Sequence, residues 1–155
     1  MGGMGPFLDP CARDIYDEWA VCSNFLLYDD VRSTFEDLCA DGIRIGLISN
    51  THRCLQTFQS YFKLEHYIVA ALSSSEHGYM KPHPSIYKAA LKIVDAIPAE
   101  SVMVGDSMSH DIRGAQQVGM QGVLLDRAEN GVSNNDGQAP VIQTLAQLPA
   151  VLLAL

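Results

Sequence analysis

Four short, near-continuous apolar runs, each ending in polar or glycine-containing sequence, constrain this chain most: residues 43–48, 67–72, 101–104 and 122–125. Runs of this kind suit strands of a parallel sheet covered on both faces. Between them lie stretches with apolar residues at helical spacing, about residues 52–61, 84–94 and 109–118, the last stopped by Gly119. Another precedes the first run: Val31, Phe35 and Leu38 share one face of residues 30–40, and Asp41-Gly42 closes it. Strand and helix alternate, so the expected class is α/β, a doubly wound, mainly parallel Rossmann-like sheet with right-handed crossovers.

The flanks are less regular. Residues 1–9 are rich in Gly and Pro and read as a loop, whereas Ile15, Trp19 and Cys22 suit an amphipathic helix over residues 10–24. Residues 126–140 are polar, with several Asn and Gly. Residues 141–155 turn apolar again and read as helical, with Pro149 either breaking the helix or beginning its last turns.

At 155 residues the chain fits one globular domain. Its net charge of −8 argues against a phosphate-backbone-binding surface, which needs clustered Lys and Arg, so no nucleic-acid partner is expected. Cys11, Cys22, Cys39 and Cys54 form no C-x-x-C pair, which suits reduced thiols in a cytoplasmic protein rather than a zinc site. The apolar tail at residues 150–155 is far too short to span a bilayer. No membrane partner is expected.

In open α/β sheets ligands bind beyond the carboxyl ends of the strands, which directs attention to three places. Ser49-Asn50-Thr51 follows the first run, offering a hydroxyl and successive backbone amides to an anion. Taken alone, the simpler reading is that Asn50 or Thr51 caps the next helix. Lys81 stands before Pro82 in Lys81-Pro82-His83-Pro84, a rigid loop able to aim a cation. Gly105-Asp106-Ser107 ends the third run, and Asp111 falls on the first turn of the helix that follows. Two converging carboxylates are what Mg2+ takes, together with waters and substrate oxygens; acidic residues placed to meet a helix dipole are the alternative. His52, His77, His83 and His110 lie near these loops and receive no role.

In this order, with each motif on a successive βα unit, the chain resembles the haloacid dehalogenase (HAD) superfamily. The resemblance covers most of residues 28–127 and includes Gly114-Ala115 and Val118-Gly119-Met120. It implies that Ser49, with the amide of Asn50, holds a transferring phosphoryl group. It further implies that Lys81 neutralises nucleophile and phosphate, and that Asp106 and Asp111 hold Mg2+ directly or through water. It also implies that residues 1–27 are the remnant of a helical cap and linker and residues 28–155 the HAD-like core.

One part of the family pattern is absent. The family nucleophile is the first aspartate of a D-x-D pair ending an N-terminal strand, and the second aspartate acts as general acid and base. No two aspartates of this chain stand two positions apart. Asp9 follows Gly- and Pro-rich sequence, and Asp126 has Ala128 where a second carboxylate belongs. By resemblance the missing strand is the first and central one, between the strands ending at Ser49 and near Asp106. Its loss leaves two edges to satisfy. The flanking strands must pair directly, or a second copy of the chain (a homodimer) must supply the strand, or an N-terminal segment lies outside the sequence given, which is the expectation favoured.

The leading expectation for function is a magnesium-dependent phosphatase acting on a small phosphorylated metabolite through an aspartyl-phosphate. The absence of D-x-D leaves enzymatic activity of the chain itself open. An inactive fragment or pseudoenzyme that binds phosphate, Mg2+ or a partner is the alternative from another class. Dehalogenation of 2-halo acids is disfavoured by Gly105-Asp106-Ser107, since that branch does not use Mg2+. A response-regulator receiver would need an acidic pair at its first strand end, where this chain has none.

Overall fold

The computed structural model describes residues 17, 18, 21–128, 137 and 139–155. Helix α1, Asp30–Ala40, leads into strand β1, Ile45–Ser49, then helix α2, Leu55–Phe62, and strand β2, Ile68–Ser73. A single turn, α3, Ser74–His77, precedes α4, Pro84–Ile93, and β3, Val102–Gly105. The chain continues through a wide π-helical turn, Met108–Ile112, the short α5, Arg113–Gln116, and β4, Gln121–Leu125. It ends with β5, Val141–Ile142, a 3-10 turn at Leu145–Gln147 and α6, Leu148–Leu152.

The four expected strands form where the apolar runs stand, and every strand pair is parallel, as continuous apolar runs require. β1 pairs with β2, with Ser49 opposite Ser73. β3 pairs with β4 from Val102 opposite Gln121 to Gly105 opposite Leu124, and β4 pairs with β5. These are two separate sheets, a pair and a triplet, with no ladder between β1 and β3. The flanking strands have therefore not closed up onto each other.

Side chains bridge what the backbone does not. One apolar cluster joins Ile45 of β1 with Val102 and Val104 of β3 around Leu38, Val123, Ile142 and Leu148. A second places Ile48 and Leu72 against Ile86, Tyr87, Met103 and Ala115. Burial of this apolar surface holds the two sheets in one body, since it depends on area removed from water and not on direction. Two arginines finish helix ends: Arg32 donates to the carbonyl oxygens of Phe62 and Lys63 after α2, and Arg44 to those of Val94 and Asp95 after α4.

Three local expectations need correction. Residues 141–155 are not helical throughout. Val141 and Ile142 add a strand to β4, with the Asp126 amide donating to the Ile142 carbonyl oxygen, because two β-branched residues favour the pleated ladder. Pro149 then sits in the first turn of α6. The helix expected over residues 52–61 starts only at Leu55, after a turn in which Thr51 Oγ1 accepts from the Arg53 amide. The helix expected over residues 10–24 lies mostly outside the described residues; Asp17 and Glu18 within it are helical, whereas its described end, Cys22–Asn24, is one 3-10 turn. Cys22, Cys39 and Cys54 are free thiols. No helix of the described residues is long and apolar enough to cross a membrane.

Candidate phosphate and metal site at the strand ends

β1 and β3 each carry a motif residue to the same end of the structure, and the Lys81 loop spans the interval between them. Lys81 is buried, with only 9% of its surface exposed, so its ammonium needs partners. It has two: Nζ donates to Asp111 Oδ1 at 2.6 Å and to the Ile48 carbonyl oxygen at 3.1 Å. The amine thus ties β1 to the turn after β3. The Lys81–Pro82 peptide bond is cis.

Asp111 is 3% exposed, and its second oxygen accepts the Ser107 amide at 2.9 Å. Gly105 makes this position reachable. A Cβ there would stand well inside van der Waals contact distance of the Asp111 carboxyl carbon. Ser107 works twice, since its hydroxyl also caps the π-helical turn by accepting from the His110 amide at 3.1 Å.

Behind this turn the fully buried Tyr87 donates its hydroxyl to the His110 carbonyl oxygen. Burial pushes the phenol up to about 12, with the Asp111 charge adding to the effect. Gly114 supplies the space, because a Cβ there would collide with the Tyr87 hydroxyl. Tyr87 and Gly114 fix the height of the helix that carries Asp111.

Of the residues expected at the site, Lys81 and Asp111 are in direct contact, and Asn50 is held against the Lys81 backbone by two hydrogen bonds. Ser49 is the last residue of β1, half-buried and next in sequence to Ile48, whose carbonyl oxygen receives the lysine. Asp106 lies one residue beyond β3, is exposed, and enters no ion pair among the described residues. Helix capping by Asn50 or Thr51 is overturned. The N-cap of α2 is Cys54, without a side-chain cap bond, and the Asn50 side chain is turned to the lysine loop. Ser107, Tyr87 and Gly114 carry no role of their own in the sequence; Ser107 stands inside the Gly105-Asp106-Ser107 motif and Gly114 inside the stretch that carries the resemblance, whereas Tyr87 has no local signal.

Mg2+ keeps several waters and takes one or two carboxylates. The exposed Asp106 suits direct contact with such an ion. Asp111, with both oxygens already accepting hydrogen bonds, suits an outer position that orients a metal-bound water. Among the described residues no cluster of three or more His, Cys, Asp or Glu is gathered as for a metal.

The model of the haloacid dehalogenase-like hydrolases matches residues 5–119 of the chain. Over 132 residues the chain is 33% identical to the glyceraldehyde 3-phosphate phosphatase of Methanothermobacter thermautotrophicus, covering 81% of this chain and 58% of that protein. Its fold is similar to a HAD phosphatase from Thermococcus onnurineus, with a TM-score of 0.79 and 26% identity over 94% of this chain and 66% of that one. It is similar also to a 2-haloacid dehalogenase from Pseudomonas syringae, with a TM-score of 0.75 and 29% identity over 83% and 54%. The chain spans about half the length of the curated relatives it matches.

Proposed function

Because the chain belongs to the haloacid dehalogenase-like hydrolases, we propose that it is the phosphate- and metal-handling part of a magnesium-dependent phosphatase for small phosphate monoesters. The observation that carries this reading is the assembly of Lys81 and Asp111 beside Ser49, across the interval between β1 and β3. A parallel strand entering that interval would lie about 4.8 Å from each neighbour. It would pair with both open edges and present its last side chains beside Ser49 and Lys81.

An aspartate delivered there would attack the phosphoryl group. Ser49 and the Asn50 amide would hold the phosphoryl oxygens, Lys81 would offset their charge, and a second aspartate would protonate the leaving alcohol. Water then attacks phosphorus in the aspartyl-phosphate, releasing inorganic phosphate and regenerating the aspartate. Mg2+, held through Asp106 and Asp111, supplies charge neutralisation when bound. The strand comes from a preceding segment or from a second copy of the chain, and residues 28–155 form the core to which it adds. The loosely spaced cysteines support a cytoplasmic setting for this chemistry.

The test is hydrolysis of p-nitrophenyl phosphate, with and without Mg2+, by the chain extended upstream with an apolar strand ending in D-x-D. Mg2+-dependent turnover is expected, and none from the chain as given. A folded, extended protein without turnover overturns the reading.

The absence of D-x-D favours a second reading, in which the chain binds phosphate or Mg2+ without turnover. A rise in melting temperature with either ligand, combined with inactivity of the extended form, supports it. The likeness to a 2-haloacid dehalogenase keeps a third within reach, checked by chloride release from 2-chloropropionate.

A further inference from the structure

The Asn50 carboxamide is engaged at both ends by one residue. Its Oδ1 accepts the Lys81 amide at 2.7 Å, and its Nδ2 donates to the Lys81 carbonyl oxygen at 2.9 Å, across 31 positions of sequence. Only this orientation of the amide matches donor to acceptor at each contact. The side chain thereby imitates one rung of a ladder, where an extended residue exchanges both backbone groups with its neighbour. The far end of Lys81 returns to the same strand, since Nζ donates to the Ile48 carbonyl oxygen at 3.1 Å. Residues 48 and 50 therefore grip the lysine at its head and at its backbone, and Ser49 is the residue between them.

From this geometry we infer that Asn50 is a positioning residue: its side chain staples the Lys81 loop to the tip of β1, so that the Ser49 hydroxyl and the Lys81 ammonium form one preassembled unit before any further strand or substrate arrives. One lone pair and one proton of the side chain are committed to Lys81, and the contact expected with phosphate is the Asn50 backbone amide. Preassembly matters because a cation held on a rigid frame stabilises developing charge without reorganising as the reaction proceeds. The consequence for catalysis rests on the phosphatase reading above, whereas the staple itself is tested without turnover.

Three forms of the full chain are compared by residue-resolved amide exchange: wild type, Asn50→Ala and the isosteric Asn50→Asp. The latter keeps an acceptor for the Lys81 amide but sets a carboxylate oxygen against its carbonyl. Thr51→Val, which removes only the local bond to the Arg53 amide, is the control. The Lys81 amide is expected to be protected in the wild type, to exchange about tenfold faster in both Asn50 variants, and to be unchanged in the control. As a second readout, the side-chain ammonium resonance of Lys81 is expected to be visible in the wild type, where its protons are held. It is expected to be lost in Asn50→Ala. An unprotected Lys81 amide in the wild type overturns the inference, and so does exchange that stays within about twofold in both variants. Should a variant unfold throughout, the wild-type measurement still decides. A chain that passes these tests and shows no hydrolysis when extended sinks the phosphatase reading and leaves the staple standing.

Discussion

The carboxylate of Asp111 lies between two donors, the Lys81 ammonium at 2.6 Å and the Ser107 amide at 2.9 Å, and all but 3% of the residue is buried. One side chain thus locks the lysine loop to the turn that ends β3. A buried pair stripped of one partner leaves an uncompensated charge. Asp111→Ala and Lys81→Met are each expected to cost about 3–5 kcal/mol in urea unfolding, and the double variant less than the sum of the two. Additive losses would mean that the two groups do not interact.

The space left by two glycines makes a second case. Gly105→Ala would push a methyl group into the Asp111 carboxyl, and Gly114→Ala would push one into the Tyr87 ring and hydroxyl. Overpacking of this kind costs about 1–3 kcal/mol. Adding Tyr87→Phe to Gly114→Ala should recover part of that loss by removing the clashing oxygen. It should recover none of the loss from Gly105→Ala, which a thermal-unfolding series would reveal.

Acid stability should depend on Asp30. Its carboxylate receives both guanidinium nitrogens of Arg127 at 2.9 Å, the Thr144 hydroxyl at 2.7 Å and the Leu145 amide at 2.8 Å. The Arg127 hydrogen bonds lead in holding its pKa down to about 2, against 3.8 ordinarily. A lowered folded pKa means stability that is complete above about pH 4 and is lost as pH falls towards 2. The loss is about 1–2 kcal/mol after allowance for partial solvent screening. Asp30→Asn should be less stable at pH 7 and lose less on acidification; parallel pH curves for the two proteins would contradict this.

Thr34 carries a fully buried hydroxyl without a hydrogen-bond partner. Replacing it by the isosteric Val removes a desolvated polar group and keeps its volume. A gain of about 1 kcal/mol in urea unfolding is expected; a loss of stability would show that the hydroxyl is satisfied in solution.

Cys54 is exposed at the start of α2, and the Thr57 side-chain hydrogen bond leads in lowering its pKa below the usual thiol value. Its alkylation by iodoacetamide should rise at lower pH than that of a free thiol, and Thr57→Val should move the profile back up.

How much of this was open to sequence reading follows from the range of each interaction. The apolar runs that became β1 to β4 needed no knowledge of distant residues, because burial on both faces demands the same residue types at successive positions. Residues 141–155 were misread because two β-branched residues followed by a capping Thr144 have too little local periodicity, and what made Val141 and Ile142 a strand was the open edge of β4. Asn50 shows the same limit. A polar residue after a strand favours a cap by local rules, and only a loop 31 positions away gave it a stronger partner.

By itself, the sequence determined the α/β class, the parallel strands and the family, and it singled out Ser49, Lys81, Asp106 and Asp111 as candidates for the site. Periodicity and motif order are properties of neighbours along the chain. The tertiary structure alone decided that Lys81 and Asp111 neutralise each other, that Asn50 serves the lysine loop, and that β1 and β3 stand in one body with no ladder between them. Those outcomes depend on which buried polar groups find partners once distant segments pack, and no local pattern encodes that choice.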